Sequence, residues 1–423
     1  MRLRSCLVIV PGLFALILAA APERARWMSL GGDFHRSGLS GNAGPTQGCI
    51  QWKFEAGAAV LGSVTVGSDG RVHIPCEDGK LYTLDADGKS LWVHDVNTPL
   101  LSAASIGPDG SLYVGGRNGM LYAIDPNGIL RWNYGTGDAV YSSPAVASNG
   151  DVYVGSSDGT LHALAPDGTE LWRFTTKGSG KAPTGTILAS PAIGNDGTVY
   201  IGGLYDPNLY ALDPSDGSVK WVCGFPPVGA ESPGWPYASP VVAGDGTIYQ
   251  TLLYDSRLYA IEPNASTILW STDLLDLSGV GVDAGAVDPE AAGWSEPVLG
   301  PDGTIYVCLD DAYLRAVDPN GGIKWAKQLG EVGGFTLAVD KNGLVYAACE
   351  DGYVYLVDPY GQEVTRFQLA GWPAFPVIAG ADLLIVADSR DYSSLDAGTK
   401  NAVWAVSSAC PEGSTPISRP RKR

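Results

Sequence analysis

The sequence predicts an all-β protein, an eight-bladed β-propeller of four-stranded antiparallel blades, with the ring closed by the N-terminal strand pairing with the C-terminal blade. Three observations carry that prediction. Tryptophan recurs at positions 52, 92, 132, 172, 221, 270 and 325, so the period is 40 residues at first and lengthens later. Gly and Pro contribute 56 and 29 of the 423 residues, a fifth of the chain, where average usage gives about 12%. An Asp-Gly or Asn-Gly pair punctuates seven of the eight periods, at Asp69-Gly70, Asp109-Gly110, Asn149-Gly150, Asp196-Gly197, Asp245-Gly246, Asp302-Gly303 and Asn342-Gly343, and the eighth carries Ala381-Asp382 in that place. Turn residues this dense, set among Val, Tyr and Trp, specify short strands. A four-stranded sheet repeated every ~40 residues buries both faces only against copies of itself.

Each unit reads in the same order: small residues and an apolar strand A, the Asp-Gly turn, strand B such as Val152-Tyr153-Val154, a second turn, strand C of the type Leu121-Tyr122-Ala123-Ile124, a Gly turn, and the Trp strand D. Seven complete units lie between Gly62 and Phe367. An eighth, from Ala374, has three strands ending in Val403-Trp404-Ala405-Val406, and its missing fourth stands at the other end of the chain as Gln51-Trp52-Lys53-Phe54. In that aligned blade Cys410 falls in the turn and Cys49 just before the returning strand, neighbours across one hairpin. A Cys49–Cys410 disulfide is therefore expected, and Cys76, Cys223, Cys308 and Cys349 are expected as buried thiols.

Arg2 and Arg4 precede an apolar run, Cys6 to Ala21, that ends in Ala19-Ala20-Ala21. This is the layout of a signal peptide, and it is short for a membrane span. The expected organisation is a signal peptide at 1–21, a lead-in at 22–50, one propeller at 51–410 and a polar basic tail at 411–423. The expected location is periplasmic or extracellular, with no integral membrane domain. Lys and Arg number 27 against 45 Asp and Glu, a net charge of −18. That field repels phosphate backbones, so nucleic acid is excluded as a partner, and it attracts cations. Asp85-Ala86-Asp87-Gly88 lacks the further ligands of a calcium loop and reads as a turn. The four His (35, 73, 94 and 162) do not cluster, and no nucleophile triad or phosphate loop is present. No catalytic or metal-ligating residue is assigned.

The hairpin Ala211-Leu-Asp-Pro-Ser-Asp-Gly-Ser-Val-Lys-Trp221, with its variants at 123–132, 163–172 and 260–270, resembles the tryptophan-docking repeat of the pyrroloquinoline-quinone (PQQ) type propellers. The opening Trp27-Met-Ser-Leu-Gly-Gly-Asp-Phe-His-Arg-Ser-Gly38 is similar to the lead-in of that family. The resemblance covers nearly the whole mature chain. It implies one of two functional kinds: quinoprotein dehydrogenases, which hold the quinone and calcium in the propeller channel, or non-catalytic scaffolds of the BamB type, which bind proteins. The chain has no adjacent Cys pair and lacks the long insertions of the larger dehydrogenases.

Strand direction alternates, so the D–A and B–C loops share one face of the ring. Three consecutive D–A loops are lengthened: residues 173–188, 222–237 and 271–294. Long loops on a rigid ring commonly carry function. They supply Lys177, Lys181, Phe225, Trp235, Tyr237, Asp283, Asp288 and Trp294, with Trp372 from the loop before blade 8 and Tyr205 and Tyr254 from B–C loops. The alternative is that these rings pack their own loops. The second position of the innermost strand reads Ser63, Ala103, Ser143, Ser190, Ser239, Glu296, Thr336 and Phe375 in blades 1 to 8. Glu296 is the odd charge, expected either to bind a cation or ligand or to pair with a nearby Lys or Arg. The candidate ligand-binding set is Lys181, Tyr205, Trp235, Tyr237, Tyr254, Trp294, Glu296 and Trp372. The function expected is an exported, non-catalytic binding scaffold for a protein or peptide on the long-loop face. The alternatives are a carbohydrate-binding or carbohydrate-cleaving propeller and a PQQ- and calcium-dependent dehydrogenase; no other cofactor is expected.

Overall fold

The structure, a computed structural model, describes residues 28–29, 31–178, 185–228, 232–282, 295–330, 335–349, 351–369, 373–388 and 401–410. The expected signal peptide and basic tail lie outside the described residues. Eight four-stranded antiparallel sheets form the blades. Blade 1 comprises Thr65–Val66, Val72–Pro75, Lys80–Leu84 and Ser90–Asp95. Blades 2 to 7 begin with the inner strands Ser105–Ile106, Ala145–Val146, Ala192–Ile193, Val241–Val242, Val298–Leu299 and Phe335–Val339. Blade 8 holds Pro373–Gly380, Leu383–Asp388 and Ala402–Ser407, and Cys49–Glu55 completes it as the outermost strand. Cys49 pairs with Ser407 and Glu55 with Ala402, and the Cys49–Cys410 disulfide fastens the hairpin. The other four described cysteines, Cys76, Cys223, Cys308 and Cys349, are buried and take no part in that disulfide.

The tryptophan period follows from how blades join. Each outer-strand indole crosses to the C–D turn of the next blade and donates its N–H to a carbonyl there. Trp52 bonds Ala86 at 3.0 Å, Trp92 bonds Pro126 at 3.1 Å, Trp132 bonds Pro166 at 2.9 Å and Trp172 bonds Pro214 at 2.8 Å. Trp221, Trp270 and Trp325 repeat this with Pro263, Pro319 and Pro359. The turn needs glycine under the ring. At Gly88, φ is +79° and an added Cβ would lie 2.6 Å from Trp52 Cγ, a position only glycine occupies without strain.

Blade 7 carries Thr365 in the Trp place, and its junction with blade 8 is built differently. The facing inner strands lengthen to five and eight residues. The lead-in segment also covers the seam: Tyr346 donates its hydroxyl hydrogen to the Pro45 carbonyl at 3.0 Å, Gly44 N–H reaches Asp340 Oδ2 at 3.2 Å, and Gly48 lies against Phe367. Buried side chains of blades 7, 8 and 1 consequently merge into one core cluster.

Upstream, the lead-in runs round the ring along the A–B-turn ends of the inner strands. Carbonyls of Met28, Phe34, His35, Ser37, Gly38 and Ala43 accept hydrogen bonds from Ile106, Ile193, Val242, Leu299, Val339 and Asp382 in turn. These satisfy inner-strand donors that face the channel and would otherwise need water. The lead-in therefore lies at the end of the channel opposite the long loops. Among the described residues no helix is long and apolar enough to cross a membrane.

Candidate functional site

The channel wall is a hydrogen-bonded collar. Ala103 N–H donates to Ser143 Oγ at 3.0 Å, Ser143 N–H to Ser190 Oγ at 2.9 Å, and Ser190 N–H to Ser239 Oγ at 2.9 Å. The small residues read from the sequence as fitting a narrow channel thus also tie blades 2 to 5 together. Between blades 8 and 7 the link runs in the opposite sense, from Phe375 N–H back to Thr336 Oγ1 at 2.6 Å.

Arg36 enters this collar from the lead-in side. Its Nε donates to the Pro191 carbonyl at 2.9 Å and its Nη2 to the Ser143 carbonyl at 3.2 Å. The residue is 2% exposed. Burial lowers its pKa to about 10, against the favourable charges of Glu296 and Asp33; the guanidinium stays protonated at neutral pH. Glu296 occupies the collar position of blade 6 and is partly exposed. Arg36 feels its charge, but among the described residues Glu296 makes no hydrogen bond or close ion pair. Tyr237 is partly buried, and its hydroxyl pKa is raised by burial, then by Glu296 and Tyr141. Tyr141 is 43% exposed.

A second group forms beside the channel mouth. Trp235, 6% exposed, packs edge-on against Tyr205 at 4.8 Å and Tyr254 at 5.8 Å. Its backbone bridges to Leu253. Tyr205 and Tyr254 both sit at positive φ, +68° and +64°, at equivalent positions of the B–C loops of blades 4 and 5. A left-handed backbone is uncommon for tyrosine, and here it turns the ring toward Trp235. Trp235 and Phe225 thus pack their own loops, Phe225 edge-on to Tyr259 at 5.1 Å. Tyr254 remains 51% exposed. The Trp235 indole N–H is buried without a hydrogen-bond partner among the described residues.

The structure therefore assembles Tyr205, Trp235 and Tyr254 into one cluster, and Tyr237 feels the charge of Glu296. Lys181, Trp294 and Trp372, with Asp283 and Asp288, lie outside the described residues. Arg36, Tyr141 and the pair Glu77–Arg117 were not singled out from the sequence. Glu77 is buried at the B–C turn of blade 1, with Arg117 Nη2 3.6 Å from it. In-phase alignment of the repeats exposes Tyr141, Glu77 and Arg117 as departures; Arg36 lies outside the repeat and had no such signal.

A calcium-held quinone requires six to eight oxygen donors around the metal. Among the described residues no group of three or more His, Cys, Asp or Glu could hold a metal ion. The described donors do not fit that group.

Comparison with known proteins agrees with this fold. Residues 77–287 match the family model described as outer membrane protein assembly factor BamB. BamB from Moraxella catarrhalis superposes with a TM-score of 0.67 at 16% identity, over 85% of this chain and 99% of that one. A quinohemoprotein alcohol dehydrogenase from Pseudomonas putida HK5 gives 0.75 at 17% identity, over 94% and 82%, and a europium-containing methanol dehydrogenase 0.72 at 13%, over 91% and 98%. No curated protein matches by sequence. The chain belongs to the PQQ-like β-propeller repeat family.

Proposed function

We propose that this protein is an exported, non-catalytic scaffold that binds a protein or peptide on its long-loop face. The observation that carries the reading is the asymmetry of the ring. One end of the channel is rimmed by the lead-in, whose carbonyls bond the inner strands of blades 2, 4, 5, 6 and 7 and the A–B turn of blade 8. The other end carries the three lengthened loops, the half-exposed Tyr254 and Tyr141, and the partly exposed Glu296. Aromatic side chains on a rigid frame are what peptide-binding surfaces use. The match to the BamB family model supports a protein partner, and the disulfide supports an oxidising compartment. The signal-peptide reading of residues 1–21 belongs to the same proposal.

The test is site-specific photocrosslinking in the native host. A crosslinker at position 254 should give one discrete adduct, and one at position 360, on the opposite face and 81% exposed, should give none. Equal labelling at both positions overturns the reading. So does PQQ- and calcium-dependent dye reduction by the purified protein.

A further inference from the structure

We propose that the channel mouth receives the ammonium-bearing side chain of the bound polypeptide, seated on Glu296 and flanked by Tyr141 and Tyr237. This deepens the scaffold reading and rests on it.

The collar supplies the first argument. Its links run from Ala103 to Ser143, Ser190 and Ser239, each backbone N–H satisfied by the hydroxyl of the next blade. Glu296 occupies the next place, and the chain of bonds stops there: among the described residues Ser239 N–H does not donate to it. A carboxylate in a wall of hydroxyls, left without a close partner and partly open to solvent, is poised to accept from a ligand.

The layer above supplies the second. Tyr141 and Tyr237 stand two residues ahead of the collar residues Ser143 and Ser239, in the segments that lead from the long-loop face into the inner strands. Leu61, Leu101 and Leu188 take that position in blades 1, 2 and 4. Glu296 and Tyr141 both act electrostatically on Tyr237, and the half-exposed Tyr141 and the partly exposed Glu296 are open to solvent. Aromatic faces and leucines suit the apolar stem of a lysine, and a carboxylate beneath them suits its tip.

Charge balance supplies the third. Among the described groups, Arg36 is acted on by two carboxylates, Glu296 and Asp33, so its one positive charge is set against two negative ones. Its guanidinium is committed to the Ser143 and Pro191 carbonyls and does not neutralise Glu296 by contact. The net charge of −18 draws cationic segments toward the molecule.

Calorimetric titration of the full chain with the capped tripeptide acetyl-Gly-Lys-Gly-amide tests this, with the norleucine peptide of the same shape as the comparison. Saturable binding of the lysine peptide is expected, at least about tenfold tighter than the norleucine peptide, since a charge-assisted contact contributes that much. Glu296→Gln should lose about tenfold as well, while Asp87→Asn on the opposite face binds like wild type. Equal binding of the two peptides, unchanged affinity in Glu296→Gln, or no binding of the lysine peptide overturns the proposal. The peptide comparison uses the unaltered protein, so a folding defect in a variant cannot mask the result. If the position-254 adduct forms while the lysine preference is missing, the seat fails and the scaffold stands; if both are missing, both fail.

Discussion

Arg315 and Asp311 form an ion pair in blade 6 with both side chains out of solvent, 0% and 1% exposed. Elsewhere the B–C turn Asp receives a tyrosine hydroxyl four residues on, as in Tyr210–Asp206 at 2.7 Å and Tyr259–Asp255 at 2.6 Å. Arg315 replaces that tyrosine. It grips Asp311 with both terminal nitrogens and sends Nε to the Leu274 carbonyl at 2.5 Å, binding the start of the longest loop to the blade.

Removing one member of such a pair leaves a buried, uncompensated charge. Arg315→Leu should therefore destabilise the protein by about 3–5 kcal/mol. Arg315→Tyr restores the clasp used in the neighbouring blades and should cost far less. Urea unfolding midpoints of the two variants decide it; equal midpoints would show that the lost charge pairing is not what matters.

The ring was legible in the sequence because its joints are periodic. Each Trp52-type indole meets a Gly88-type turn in the next unit, so the two residues recur together and the blade count follows. Glu296 and Tyr237 were legible for a related reason, one as a charge out of phase with a small-residue position, the other as a ring on a lengthened loop. Arg36 was not, because its partners Pro191 and Ser143 are 155 and 107 residues away and belong to no period. Nor could the sequence tell that Trp235 would be buried. That depends on two B–C loops adopting positive φ at Tyr205 and Tyr254, a backbone state that tyrosine does not advertise. The Thr365 gap was visible, but not that residues 44–48 would cover the seam beside it.

The Cys49–Cys410 bond closes a loop of 361 residues of sequence separation and holds the only blade made from both ends of the chain among those described. Constraint of so long a loop acts mainly on the unfolded chain, and its loss should cost about 2–5 kcal/mol. Cys49→Ser together with Cys410→Ser should lower the melting temperature and make it insensitive to dithiothreitol, while the wild type falls toward the variant on reduction. A wild-type melting temperature unmoved by full reduction would assign closure to strand pairing alone.

Gly38 fixes the lead-in against blade 6. Its φ is +66°, and an added Cβ would lie 2.4 Å from Val298 Cγ1. Gly38→Ala should force the lead-in off the inner strands, breaking the bonds from Leu299 to Ser37 and from Val339 to Gly38. Arg36, 2% exposed in the intact protein, then becomes accessible. Brief trypsin digestion with N-terminal sequencing should reveal cleavage after Arg36 in the variant and protection in the wild type. Protection in both would mean that the strap tolerates the methyl group by local adjustment.

His73 takes the place held by Tyr113, Tyr153 and Tyr200 in later blades and gives the ring a pH dependence. Its Nδ1 lies 2.8 Å from Thr83 Oγ1, where those blades carry alanine. Burial lowers its pKa from 6.5 to about 4. Above 6.5 neither folded nor unfolded chain is protonated there, and the stability is complete. Between 6.5 and about 4 the unfolded chain takes up a proton that the folded one refuses, so stability falls as pH falls. At about pH 5 this one group should cost about 2 kcal/mol, from about 1.4 kcal/mol per unit of separation. His162, also lowered by burial, adds to the same slope. The double variant His73→Tyr, Thr83→Ala restores the tyrosine–alanine pair and should lose less stability between about pH 7.5 and pH 5 than the wild type, by about that amount. Urea titrations of both proteins at the two pH values measure it; parallel losses would remove His73 as the origin of the acid sensitivity.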